Sequence, residues 1–391
     1  MNRAELAAYY FPNYHLDARN KALHGPGWTE WELLKRAEPR FAGHYQPRVP
    51  QWGYQDEADP AVMAQKIAAA ADHGLDAFIF DWYWYDDGAF LQRALDEGFL
   101  RAKNNHRLKF ALMWANHDWI DLHPAKIPPL SGSFPALLYP GRVTWQTWTR
   151  IIDHCIGRYF SHPSYWHVGG CPYFSIYEPG KLLESFGGIK GARRALDYFR
   201  ERAVEAGFPG VHLNAIVWNS PILPGESRPL DPARLVAQPG FDSVTSYVWI
   251  HHAEMEKFPE ASYDRAFERY CDYWRHADQT LPVPYFPNVT VGWDSSPRTV
   301  QSDLYQNRGY PFGSILAGNT PERFGRALRE TRERLLASDA PLKIITLNAW
   351  NEWTEGSYLE PDERHGLAYL QAIKNTVSLS RPQPVPALST V

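Results

Sequence analysis

Near the C-terminal end, the stretch NAWNEWTEGSYLEPD (residues 348–362) sets two glutamates, Glu352 and Glu355, three positions apart among tryptophans. It follows directly on the aliphatic run KIITL. Two carboxylates on one turn repel if both ionise, which disfavours the pair as an ordinary solvated helix start. At the end of a buried strand, beside Trp350 and Trp353, one of them is expected to hold a raised pKa and keep its proton. One acid with one base is the equipment for cleaving a glycosidic bond.

Such a pair needs a scaffold, and the chain supplies a regular one. Apolar or aromatic strand candidates lie at 7–12, 75–84, 108–115, 172–177, 211–218, 241–249, 283–293 and 343–350. Their apolarity is continuous rather than alternating, as in parallel strands covered on both faces. Helical stripes fall between them. Asp59 with Pro60 and Thr320 with Pro321 read as helix starts, and Gly74 as a stop. The pattern predicts an α/β fold, a (β/α)8 TIM barrel with long insertions after strands 1 and 3. A doubly wound sheet would need a Gly-rich phosphate turn that the sequence lacks. Residues 1–379 read as a single catalytic domain and 380–391 as a frayed tail.

Polar residues at barrel strand C-termini converge on one mouth. The first strand and its insertion offer Tyr10, Asn13, Tyr14, His15, Trp28, Glu30, His44 and Tyr45. Strand two ends in Asp81, Trp82 and Trp84, and strand three in Trp114, Asn116, His117 and Asp118. Later strands add Tyr177, Glu178, Trp218, Tyr247, Trp249, Trp293 and Asp294, then Trp350, Asn351 and Trp353 around the glutamate pair. Acceptors for hydroxyls and flat faces for rings suit a carbohydrate. Against this, Trp82, Trp84 and Trp114 could simply plug the barrel, and Glu178 could be a helix N-terminal carboxylate. A rival catalytic pair is Glu178 with Asp294, across the barrel, where many retaining glycosidases place acid and nucleophile.

Composition narrows the classes. A formal charge of −4 over 391 residues gives no reason to expect nucleic acid or an anionic membrane as partner. The 16 Trp, 22 Tyr and 19 Phe favour stacking on sugar rings. Cys155, Cys171 and Cys271 lack paired spacing, so neither disulfide framework nor zinc site is expected. No HxH follows strand one, and neither metal nor other cofactor is expected. With no signal-peptide-like or membrane-length apolar run, a cytoplasmic location is the expectation. Oligomeric state is open.

AYYFPNYH, GWTEW, FAGHYQPRVP and NAWNEWTEGSYLEPD together resemble the WbsX-type family, described both as polysaccharide-biosynthesis glycosyltransferases and as glycoside hydrolase family 99-like. The resemblance spans roughly residues 7–375. NEWTEG looks like the site of the family 99 endo-α-mannosidases, retaining barrel enzymes that need no metal for chemistry. The resemblance implies that Glu352 acts as base on the sugar's own 2-hydroxyl and Glu355 as acid/base, through a 1,2-anhydro sugar. Many relatives read WANENW where this chain has WANHDW, and arginine where it has Glu178. Preference for mannose is therefore not carried over. The reading is a retaining α-glycoside hydrolase, with a WbsX-type glycosyltransferase or a non-catalytic glycan-binding barrel as alternatives. Against the transferase, no Gly-rich phosphate loop or DxD-type pair stands at a strand end.

Overall fold

A computed structural model describes residues 3–128, 135–227 and 231–378, so the expected tail at 380–391 lies outside the described residues. Eight strand positions form one parallel sheet: β1 Glu5–Tyr10, β2 Ala77–Tyr85, β3 Lys109–Trp114, β4 Cys171–Ile176, β5 His212–Ile216, β6 Ser243–Thr245, β7 (Tyr285–Phe286 and Asn288–Thr290) and β8 Ile344–Asn348. Each pairs with its sequence neighbour, and β1 pairs with β8 through Glu5 beside Ile344 to Ala8 beside Leu347. Pro287 has no N–H for the ladder and divides β7. Tyr285–Phe286 pairs with β6 and Asn288–Thr290 with β8, which closes the ring. The fold is a (β/α)8 TIM barrel.

The lumen is filled by small polar side chains that satisfy one another, as burial demands. Ser175 donates to Asn214, which donates to Ser243; Thr245 meets Thr346, and Asn288 donates to Thr346. The apolar core lies outside the strands, where Phe78, Phe80, Phe110 and Phe174 face the helices. Those helices are α1 Pro60–Asp72, α2 Trp145–Cys155, α3 Ile189–Glu205, α4 Pro232–Ala237, α5 Tyr263–Thr280, α6 Pro321–Ala337 and α7 Ala368–Ser378. Asp59 caps α1 by accepting from Ala61 N at 2.7 Å, with Pro60 in the first turn. Such a cap is worth about 1 kcal/mol. Thr320 and Pro321 start α6 in the same way. One of the stripes between strands, at residues 88–104, is not a regular helix: Gly88–Phe90 turns back on β2, and Ala94–Phe99 follows as a single π-helical turn.

Both insertions return to the mouth. The first carries short helices at Ala18–His24 and Trp31–Lys35, and Trp31 packs on Tyr14 at 4.1 Å. The second pairs Trp119–Ile120 with Leu137–Tyr139. Among the described residues no helix is long and apolar enough to cross a membrane.

Candidate active site

The chain leaves β8 through Asn351–Glu352, then makes one 3-10 turn at Trp353–Glu355 that Gly356 ends with φ +64°. That left-handed conformation suits glycine, and an added Cβ would meet Asp294. The turn aims both glutamates at one guanidinium. Arg298, from the loop after β7, sets Nη1 2.5 Å from Glu355 Oε1 and Nη2 3.2 Å from Glu352 Oε2. Its Nη2 also lies 2.8 Å from Glu30 Oε1. Each glutamate has a phenol as well: Tyr310 donates to Glu355 at 2.8 Å, and Tyr247 lies 3.0 Å from Glu352.

These charges do not cancel. Glu30, Glu352 and Glu355 surround one cation, and all are buried. Burial would raise the Glu30 carboxyl, but Arg298, together with His123 and the hydrogen bonds from Thr354 and Asn13, holds it below its ordinary value. Glu352 is pushed well up by burial and by the charge of Glu355, against Arg298. Glu355 is pushed up by burial, opposed by Arg298 and Tyr310. Both carboxyls are therefore biased toward the protonated form, since two like charges beside a cation already committed to Glu30 are not offset.

Above the pair opens a cleft. Of the residues expected at the mouth, Asp81, His117, Asp118, Tyr177, Tyr247, Trp293, Glu352 and Glu355 line it. Tyr83 and Trp119, at the ends of the second and third strand candidates, line it as well, with His251; Phe11, His123, Arg298 and Tyr310 line it without a strand-end signal in the sequence. Arg298 stands only four residues past Asp294, in SSPR, where a loop cation after strand seven was the available signal. His117 donates from Nδ1 to the Asp118 carbonyl at 3.0 Å, and burial lowers its pKa. Asp118 pairs with Lys181 at 2.9 Å.

The other expected residues stand behind the walls. Alternation along β2 turns Trp82 and Trp84 outward against His154 while Asp81 and Tyr83 face the cleft. Trp114 likewise packs on Trp148, and Trp249 on Phe267 of α5. Tyr10 faces outward to Lys66 at 3.3 Å. Asn13 donates to Glu30 at 2.6 Å, and Tyr14 accepts from Trp353 N at 3.2 Å. His15 is enclosed, with burial lowering it to about 3, and Trp28 stacks on His24 at 4.1 Å. Glu30 serves Arg298 from below rather than the cleft. Tyr45 lines a separate cleft under Arg364.

Trp350 and Trp353 donate their indole N–H groups to Glu360 at 2.8 and 2.7 Å. Asn351 donates to the Phe11 carbonyl and to Glu57, both at 2.7 Å. Trp218 donates to the Ser227 carbonyl at 2.9 Å. Asn116 exchanges two 2.8 Å bonds with the Glu178 backbone. These residues position the turn and the strand ends.

The rival pair is likewise engaged elsewhere. Glu178 caps the helix Pro179–Phe186, accepting from Gly180 N and Ser227 N at 3.1 Å each, and burial pushes it up to about 8. Asp294 accepts from Gln46 at 2.8 Å and Ser296 Oγ at 2.6 Å, and meets His44 at 2.9 Å. Burial would raise it, but His44 and Arg48 hold it well below the usual carboxylate range. Neither lines the cleft.

Comparison with known proteins places this site in context. WxcX of Xanthomonas campestris pv. campestris, in two strains, is 29% identical over 393 residues, covering 96% of this chain and 50% of that one. The chain thus spans about half the length of the curated relatives it matches. Among solved structures, a glycoside hydrolase-like protein superposes with a TM-score of 0.61 at 14% identity, covering 96% of this chain and 94% of that one. The GH99 endo-alpha-mannosidase from Bacteroides thetaiotaomicron superposes with a TM-score of 0.53 at 13% identity, covering 96% and 97%. These likenesses show the shared barrel. The sequence model of the WbsX glycosyltransferase family matches residues 6–373, nearly the whole described chain, and the protein belongs to that family.

Proposed function

We propose that the chain is a retaining α-glycoside hydrolase acting on an oligosaccharide or polysaccharide through the sugar's own 2-hydroxyl. The observation that carries this is the pair Glu352 and Glu355, both buried on one Arg298 at the cleft floor and both pushed toward holding protons. Glu352 takes the proton of the 2-hydroxyl as O2 attacks C1, and the C1–oxygen bond breaks. Glu355 gives its proton to the leaving oxygen. Water then attacks C1 of the 1,2-anhydro sugar from the face the leaving group vacated. Glu355 takes the water's proton, and Glu352 returns its own to O2. Two inversions leave retained configuration, and both glutamates end as they began. A base for the 2-hydroxyl can share one short turn with the acid, whereas a nucleophile would have to face it across the ring.

The closer guanidinium contact at Glu355, 2.5 Å against 3.2 Å, favours the ionised state there and carries a second assignment with the roles exchanged. Leaving-group dependence separates the two. Replacing the acid spares activated aryl glycosides, which depart without protonation, while replacing the base harms all substrates alike. A loss of about 10²–10⁴-fold is expected from either change. On the first assignment Glu355→Gln shows the leaving-group dependence and Glu352→Gln does not; the reverse result exchanges the roles.

The description of the family as glycosyltransferases favours a further reading, glycan transfer. Incubation with α-linked oligosaccharides and, separately, with nucleotide sugars plus acceptor decides. Release of reducing sugar with retained anomeric configuration supports hydrolysis; acceptor extension without hydrolysis overturns it.

A further inference from the structure

Tyr247, at the mouth end of β6, sets its hydroxyl 2.8 Å from Asp81 Oδ2 and 3.0 Å from Glu352 Oε1. A phenol carries one hydroxyl proton. It can satisfy one carboxylate, and its oxygen lone pairs then face the other. With both acids ionised the second contact is repulsive; with a proton on one acid it becomes a donated hydrogen bond.

The two acids are not equally able to ionise. Glu352 has Arg298 Nη2 at 3.2 Å. Asp81 is 3% exposed, forms no ion pair among the described residues, and its Oδ1 is buried without a hydrogen-bond partner. A buried carboxylate with one hydrogen bond and no cation bears most of its desolvation cost uncompensated. A neutral carboxyl instead leaves only a carbonyl oxygen there, a smaller loss.

We propose that Asp81 holds a standing proton of its own, donating it to the Tyr247 oxygen so that the Tyr247 hydroxyl is turned to Glu352. The chain Asp81–Tyr247–Glu352 then runs in one direction and keeps Glu352 ionised as base, which rests on the role given to Glu352 above. Asp81 is thus a positioning residue acting through Tyr247, and it gives Glu352 a hydrogen-bonded support that Glu355, with the closer guanidinium contact, does not share. Burial, opposed by the Tyr247 hydroxyl and aided by the charge on Glu355, moves the Asp81 carboxyl in the same direction. The titratable groups that face it are Tyr9, Tyr83, Tyr247, Glu352, Glu355 and Arg298.

Infrared difference spectra of the protein without substrate test the proton directly. At neutral pH, wild type minus Asp81→Asn should show a protonated-carboxyl C=O band. A carboxylate band in its place overturns the proposal. Because no glycoside is present, that result stands whether or not the hydrolase reading does. The pH profile gives a second readout. Asparagine in place of a neutral acid leaves the charge unchanged, so both limbs should coincide with wild type. Were Asp81 ionised, removing its charge would move both limbs to lower pH, which also overturns the proposal. Asp81→Ala should lower kcat about ten- to a hundredfold, the worth of a hydrogen bond to a charged group, with Asp81→Asn recovering part of that loss. No recovery by asparagine counts against it.

Discussion

Replacing Arg298 with methionine keeps an unbranched chain of similar length and removes the cation shared by Glu30, Glu352 and Glu355. Removing one partner of a buried pair costs about 3–5 kcal/mol, because the remaining charge is left uncompensated. Here three carboxyls lose their counter-ion, and Glu30, now held below its ordinary value by Arg298, joins the other two in being raised. A carboxyl with a raised folded pKa contributes stability that is fully present below its unfolded value and lost as pH rises through the folded one. The deficit of Arg298→Met should therefore be small near pH 4 and grow to about 3–5 kcal/mol by pH 8. Urea denaturation of wild type and variant at both pH values, read through a common m-value, measures it. A deficit below about 1 kcal/mol at pH 8, or one equal at both pH values, would refute the charge assignment.

Glu360→Gln turns an amide toward the Trp350 and Trp353 indole N–H groups and takes a carboxylate from Lys66. It should destabilise by about 1–3 kcal/mol in thermal or urea unfolding and slow turnover by loosening the glutamate turn. Asp294, held below the usual range, contributes stability present above its unfolded value and lost as pH falls. Asp294→Asn should thus cost about 3–5 kcal/mol at neutral pH, with the gap to wild type narrowing in acid. Glu178, pushed up to about 8, works the other way: its stability is full below its unfolded value and lost as pH rises through about 8. A plot of stability against pH should lose that alkaline decline in Glu178→Gln, while a Glu178 acting in catalysis would show its largest effect in turnover.

The barrel was legible because its causes are local. Apolar runs marked each strand, and Asp59–Pro60 and Thr320–Pro321 marked the starts of α1 and α6 by their own hydrogen-bonding chemistry. Continuous apolarity hid the facing of each strand residue, since both faces are covered. The strand-end reading therefore took Trp82 and Trp84 together with Asp81, although alternation puts them on opposite sides. The loop position of Arg298 is readable from the sequence, but its role is hidden for a different reason. Its partners, Glu30 and Glu352, stand 268 and 54 residues away in sequence, and only closure of the barrel brings them together. Glu30 was read as a mouth residue from its aromatic setting, but aromaticity here reflects packing of Trp31 against Tyr14 and Trp353.

The central claim is that the sugar's 2-hydroxyl, and no side chain, attacks C1. An activated aryl α-glycoside of a cleaved sugar, with fluorine in place of the 2-hydroxyl, tests it most directly by intact-protein mass spectrometry. No aryl release and no mass increase are expected, because Glu352 has no proton to take and the sugar has no O2 to attack with. Accumulation of a fluoroglycosyl ester, mapped by peptide mass to Glu178, Asp294 or another carboxylate, would contradict it.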